Sequence, residues 1–239
     1  MARSLLIRGM LVGILAGLVV FVSAHWLGEP QVDRAIAFES GTGHIHDQEE
    51  PEIFSRRVQK TVGLLTGTVT FGAALGGLFG LSFAFSYGRV GPTRPRDLAA
   101  FLACIGFITV VFVPSLKYPA SPPSVGNPET IGIRTSAFFL MILLSVLAMV
   151  VSIKIGRYSI RRFGGWNGGV LAAIFFIAIV TIIGYLLPRI NEVPTGFPAD
   201  LLWQFRLASW ALQVLLWASI GLLFGWSTER DKRWSGAKF

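Results

Sequence analysis

The chain has 239 residues, 53% of them hydrophobic and 14% charged, far below the roughly 25% charged residues of a soluble domain. Its charges are crowded into short blocks between long apolar runs, so length sets a number of membrane spans and not a number of soluble domains. A single cysteine, Cys104, excludes a disulfide framework; lying in an apolar run, it is expected to be a small buried hydrophobe.

Six helical spans are predicted, near residues 8–27, 61–87, 97–113, 134–155, 168–188 and 205–226, the lengths needed to cross a hydrocarbon layer of ~30 Å. Arg3 and Arg8 precede the first, and it ends in Val22-Ser23-Ala24, which resembles a signal-peptidase site. Its apolar run is longer than the roughly 7–15 residues of a signal core. A retained helix is the expectation; cleavage would leave five spans. Pro114 is expected to end the third span, because proline has no N–H to give and its ring crowds the preceding turn.

Counting Lys and Arg on alternate sides places 13 with the two termini and 8 on the other side. Cytoplasmic segments carry the excess of such residues, so both termini are expected inside. The net charge of +8 is then a topology signal set against anionic membrane lipids, and no nucleic-acid motif accompanies it. Trp26, Trp166, Trp203 and Trp226 fall at predicted helix ends, where indole rings favour the headgroup region. Trp203, Trp210 and Trp217 share one helix face, as a lipid-facing or packing stripe. Glycines repeat every fourth residue at Gly9/Gly13/Gly17, Gly72/Gly76/Gly80 and Gly221/Gly225, a pattern that lets backbones approach. Close packing among the first, second and last helices is expected, with a homo-oligomer through such faces as a further use. The span interiors hold no Asp, Glu or His away from their ends, and Gln213 is the most polar deep side chain. Self-contained ion pumps keep an ionisable group at depth, so this chain is not expected to be one.

The expected fold is therefore all-α and polytopic, a single integral membrane domain over residues 1–239 with three exterior loops. The first, residues 28–60, contains "GHIHDQEE" at 43–50. Imidazoles and carboxylates suit borderline divalent ions. In an extended segment His44 and His46 point the same way, with Asp47, Glu49 and Glu50 close in sequence. A metal-capturing loop and a plain solvated acidic loop both fit. The other two, residues 114–133 and 189–204, are proline-rich, and five prolines between Val113 and Ser136 give a stiff path. Each has a proline at a helix end (Pro114, Pro188) and an acid before an arginine at the next helix start (Glu129/Arg134, Asp200/Arg206). Either a duplicated hairpin or independent hairpins with similar turn chemistry accounts for this. Both arginines are read as structural, tying the loops to the helices. No nucleophile–base set, HExxH, Walker loop or GxGxxG gives an enzyme reading any support.

The order of an apolar first helix, an acidic histidine loop, "VPSLKYPASPPSVGNPETIGIRT" and "FPADLLWQFRLAS…LLWASIGLLFGW" resembles the CbtA family of probable cobalt transporter subunits across nearly the whole chain. The resemblance implies a multi-pass component of the bacterial inner membrane. It implies Co²⁺ as transported substrate, with no resident cofactor, for corrinoid (vitamin B12) synthesis. It also implies a small one-helix, histidine-bearing partner of the CbtB type. The family's histidine loop maps to His44 and His46, with Asp47, Glu49 and Glu50 assisting. The competing expectation is a membrane assembly protein whose acidic loop binds another protein.

Overall fold

The computed structural model describes residues 2–41, 55–89 and 94–231. Among them the secondary structure is helical. Six helices are long and apolar enough to cross a membrane: α1 (Ala2–Leu27), α3 (Arg56–Ser86), α4 (Pro95–Lys117), α5 (Pro128–Phe163), α6 (Gly165–Leu186) and α7 (Ala199–Glu229). A further helix, α2 (Glu29–Gly41), follows α1 directly, so part of the segment expected as a loop over 28–60 is helical. Pro30 sits in its first turn, where a missing N–H does no harm. All six predicted spans are present, several with an extra turn or more at their ends.

The helices group into two compact units. Unit one holds α1, α2, α3, the first half of α4, residues Pro122–Ser124 and α7; unit two holds the rest of α4, the proline loops, α5 and α6.

In unit one α1 and α3 run antiparallel with their backbones in contact. A Cβ on Gly9 would collide with the Gly76 carbonyl oxygen, one on Gly13 with that of Gly72, and one on Gly17 with that of Thr68; Gly72 and Gly76 face the same obstruction in return. Only hydrogen fits there. Gly221 and Gly225 do a different job from the one expected: they face Ala103, Ala99 and Arg96 of α4. Trp217 packs against Gly106 and is 6% exposed, whereas Trp203, at the other end of its stripe, is 56% exposed. The stripe runs from packing to surface. Phe224 closes the core between Phe79 and Phe83, with ring centroids 5.3 and 5.1 Å away. At the same end Arg8 donates to Asp231 at 2.6 Å and to the Ser227 carbonyl, and Arg96 pairs with Glu229 at 2.6 Å. The start of α1 and the end of α7 therefore lie together.

Unit two corrects the reading of Pro114. The helix passes through it to Lys117, because residues Phe107–Phe112 adopt the wider π-helical wind. That wind makes i→i+5 bonds and relieves the crowding a proline imposes on the preceding turn. Extended by one step, it would pair the Thr109 carbonyl with the N–H of residue 114, which proline lacks. The buried Ser145 hydroxyl of α5 donates to that carbonyl instead. Val113, Met141, Ala148 and Phe176 form the core beside it. Cys104, expected buried, is exposed, because the packed face of the first half of α4 is Leu98, Ala99 and Ala103.

The backbone contact predicts a sharp contrast among glycines. Gly13→Ala and Gly76→Ala should each destabilise the protein by about 1–3 kcal/mol or more. Gly67→Ala and Gly169→Ala, which meet open space, should be neutral or slightly stabilising because alanine favours helix. Thermal unfolding of the four detergent-solubilised variants checks this ordering.

Candidate functional site

The end of unit one opposite Arg8 and Asp231 is built around α2. Glu29 and Asp33, one turn apart on that helix, face the first turns of α3. Arg56 donates to Glu29 at 2.5 Å and to Asp33 at 3.2 Å, and Lys60 forms a short contact with Asp33. The Lys60 hydrogen bond, with Arg56 adding to it, holds the Asp33 carboxyl below its ordinary range, against a smaller opposing effect of burial. Ser124, in the left-handed region at φ 70°, has its hydroxyl within reach of the Ala35 carbonyl (3.2 Å) and the Glu39 carboxylate (3.1 Å). Arg34 donates to Gln204 of α7 at 2.8 Å. One short helix thus gathers the start of α3, a piece of the first proline loop and the start of α7.

The chain that joins α2 to α3 carries the sequence-predicted ligands. His44, His46, Asp47, Glu49 and Glu50 lie outside the described residues. The described chain stops at Gly41, about 12 Å along α2 from Asp33 at 1.5 Å per residue, and resumes at Ser55, one residue before Arg56. The salt bridges therefore fix the two anchorages of the candidate ligand segment relative to each other. His25, the third histidine, is exposed in the last turn of α1. Among the described residues no three His, Cys, Asp or Glu side chains come together as a metal-holding group. Gln213 is half-buried on α7. Its Oε1 and the Trp217 indole N–H one turn later have no hydrogen-bond partner among the described residues.

In unit two the two proline loops are joined by Glu192. Its carboxylate accepts from the Asn127 N–H at 2.8 Å and from the Thr130 hydroxyl, and it pairs with Arg134 at 3.3 Å. Asn127 also caps the helix start, accepting from the Glu129 N–H at 3.0 Å. Tyr118 adds a second tie, donating to the Pro188 carbonyl at 2.9 Å. The Arg134 guanidinium lies over Gly126, where the backbone sits at φ +131° and an added Cβ would strike it, so glycine is required twice over. The partner of Arg134 is thus Glu192 and not Glu129, its neighbour in sequence. The arginine ties one loop to the other. Asp200 is exposed in the first turn of α7, where a carboxylate suits the positive end of the helix dipole. The two loops differ at their first proline: Pro188 follows the end of α6, whereas α4 continues through Pro114.

Sequence reasoning missed the Glu29/Asp33 face and the Glu192 junction. The first had a visible signal, two acids four residues apart on either side of a proline at a helix start. The second had none, since it joins loops 62 to 65 residues apart in the chain.

These features define an all-helical, multi-pass membrane protein with a loop assembly tied together at one end of each unit. The chain belongs to the CbtA family, described as "Probable cobalt transporter subunit", whose family comparison matches residues 2–229. No curated protein and no solved structure matches it.

The Thr130 hydroxyl, the Asn127 N–H and the Arg134 charge, in that order, hold the Glu192 carboxyl below its ordinary range, with a small opposing effect of desolvation. A depressed carboxyl pKa contributes stability that is present above the unfolded-state pKa and disappears as pH falls through the folded value. Unfolding midpoints measured from pH 7 down to 3 should therefore fall in the native protein. Glu192→Gln should start lower at pH 7 and show a flatter profile. Arg134→Ala should reduce folded protein in the membrane.

Proposed function

We propose that this chain is the polytopic subunit of a Co²⁺ uptake transporter in the bacterial inner membrane. It supplies corrinoid synthesis and works with a small one-helix, histidine-bearing subunit of the CbtB type. Family membership supports cobalt as the substrate. The 13-to-8 partition of basic residues supports both termini inside, which puts α2, the segment 42–54 and the proline loops on the outer face where the ion arrives.

The observation that carries the capture step is the sequence His44-Ile45-His46-Asp47-Gln48-Glu49-Glu50, set between two anchorages joined by Arg56 and Lys60. His44 and His46 supply imidazole nitrogens to the ion, and Asp47, Glu49 and Glu50 supply carboxylate oxygens and negative charge. Such a donor set takes Co²⁺, and by the general affinity order takes Ni²⁺ and Cu²⁺ more tightly. Selection of cobalt then rests on what happens after capture. The spans of this chain carry no Asp, Glu or His at depth, which is why passage is assigned to the assembled transporter and not to this subunit alone.

Radiocobalt uptake into intact cells tests the capture step. His44→Ala/His46→Ala should raise the cobalt concentration for half-maximal uptake by roughly tenfold or more, with the defect greatest when cobalt is scarce. Lowering external pH through about 6.5 should mimic it in the native protein, because imidazolium cannot ligate. Unchanged uptake by the double variant at low cobalt would contradict ligand capture by this segment.

A further inference from the structure

Unit one has acids beside two of the cations at its terminus-bearing end: Arg8 is paired with Asp231 and Arg96 with Glu229. Unit two contains only two acids, Glu129 and Glu192, both at its loop end. Its opposite end carries Lys154, Arg157, Arg161 and Arg162 on the last turns of α5, all exposed, and none has an acidic partner among the described residues. Arg162 alone has another contact, over the Phe163 ring at 5.5 Å. Four cations within nine residues are presented outward by a unit that has nothing at that end to neutralise them.

Their placement along the helix matches a membrane surface. From Arg134 at the loop end, Lys154 is twenty residues on, or about 30 Å at 1.5 Å per residue, the thickness of the hydrocarbon layer. Lys154 to Arg161 covers about 10 Å more, spanning a headgroup layer of roughly 5–8 Å on that side. Trp166, at the start of α6 and 83% exposed, lies two residues before Gly168, which packs on Ile160; it therefore stands level with Arg161 and Arg162, in the interfacial region that indole rings favour. The placement around the helix agrees. Lys154, Arg157 and Arg161 fall within about 60° of one another at 3.6 residues per turn. The buried residues of the same turns, Ser152, Gly156 and Ser159, lie on the opposite side, where Gly156 meets Ala172 of α6. Lys154, Arg157 and Arg161 thus face away from the α5–α6 contact, and Arg162 is exposed beside them.

We propose that this end of α5 is a binding site for anionic phospholipid headgroups. Lys154 stands at the hydrocarbon boundary, and Arg157, Arg161 and Arg162 contact the phosphate-bearing layer. Guanidinium groups suit this role because their planar donors match phosphate oxygens in pairs. The site is independent of the cobalt assignment and of which leaflet it meets.

The full chain, reconstituted in phosphatidylcholine vesicles with spin-labelled phosphatidylglycerol or phosphatidylcholine as probe, tests it. In low salt the motionally restricted fraction should favour phosphatidylglycerol by at least about threefold. The preference should approach unity in K154Q/R157Q/R161Q/R162Q and, for the native chain, in about 0.5 M NaCl, where the screening length is only a few ångströms. R157K/R161K/R162K should keep most of it. If the quadruple variant fails to incorporate, R161Q/R162Q and the salt arm on the native chain decide. The proposal is overturned by a native chain without preference or by a quadruple variant that keeps the full preference. It is equally overturned if inorganic phosphate or polyglutamate abolishes the native preference at constant ionic strength, which would assign the patch to a free anion or an acidic polypeptide.

Discussion

The contact between the α1 and α3 backbones governs unit one, because it leaves no room for a side chain at Gly9, Gly13, Gly72 or Gly76. Helices in lipid gain nothing from hiding apolar surface, since the lipid tails are equally apolar, so close van der Waals packing has to hold them. A glycine face supplies that packing at the shortest interaxial distance. It also sets the two helices antiparallel at close quarters, which brings the end of α1 next to the start of α3. The chain must then leave and return at nearly the same place. α2 fills the departure, and Arg56 and Lys60 at the return meet Glu29 and Asp33 on its first turns. The candidate ligand segment joins these two anchorages in the chain. A packing rule in the apolar layer thereby brings together the two helices that the candidate ligand segment connects.

Unit two rests on satisfying backbone groups where water is scarce. Proline within a span removes a donor, and in hydrocarbon an unmet carbonyl costs several kcal/mol. The wide wind at Phe107–Phe112 and the Ser145 hydroxyl answer this together. At the loop end Glu192 answers the related problem of two long, stiff loops by taking an N–H, a hydroxyl and a guanidinium at once.

Much of this architecture is legible in the amino-acid sequence itself. The six spans were legible because apolar length is the strongest signal a membrane protein carries, and the pairing of Gly9/Gly13/Gly17 with the Gly72–Gly80 face followed from a four-residue repeat. The proline loops and the candidate ligands His44 and His46 were visible as sequence, and the family resemblance followed from them. What was missed depended on neighbours distant in the chain. Pro114 alone reads as a helix end; only Ser145, thirty-one residues later in sequence, and a change of helical wind make it passable. Arg134 reads as a partner for Glu129 because that acid is near in sequence, while the acid that reaches it in space belongs to another loop. Gly221 and Gly225 were recognised as packing residues and assigned the wrong helix, since a glycine face does not name its partner. Cys104 misled for a simpler reason: in a bilayer an exposed position is still apolar, so hydrophobicity of the surroundings does not indicate burial.

The proposed capture step requires the segment between α2 and α3 to face the side from which cobalt arrives. Single cysteines at Gln48 and at Ser235, each in a Cys104→Ser background, allow a direct measurement with a membrane-impermeant maleimide applied to intact cells. The account predicts labelling at position 48 without permeabilisation, and labelling at position 235 only after it. Labelling of position 235 from outside, with position 48 protected until the membrane is opened, would place the histidines in the cytoplasm and contradict the account.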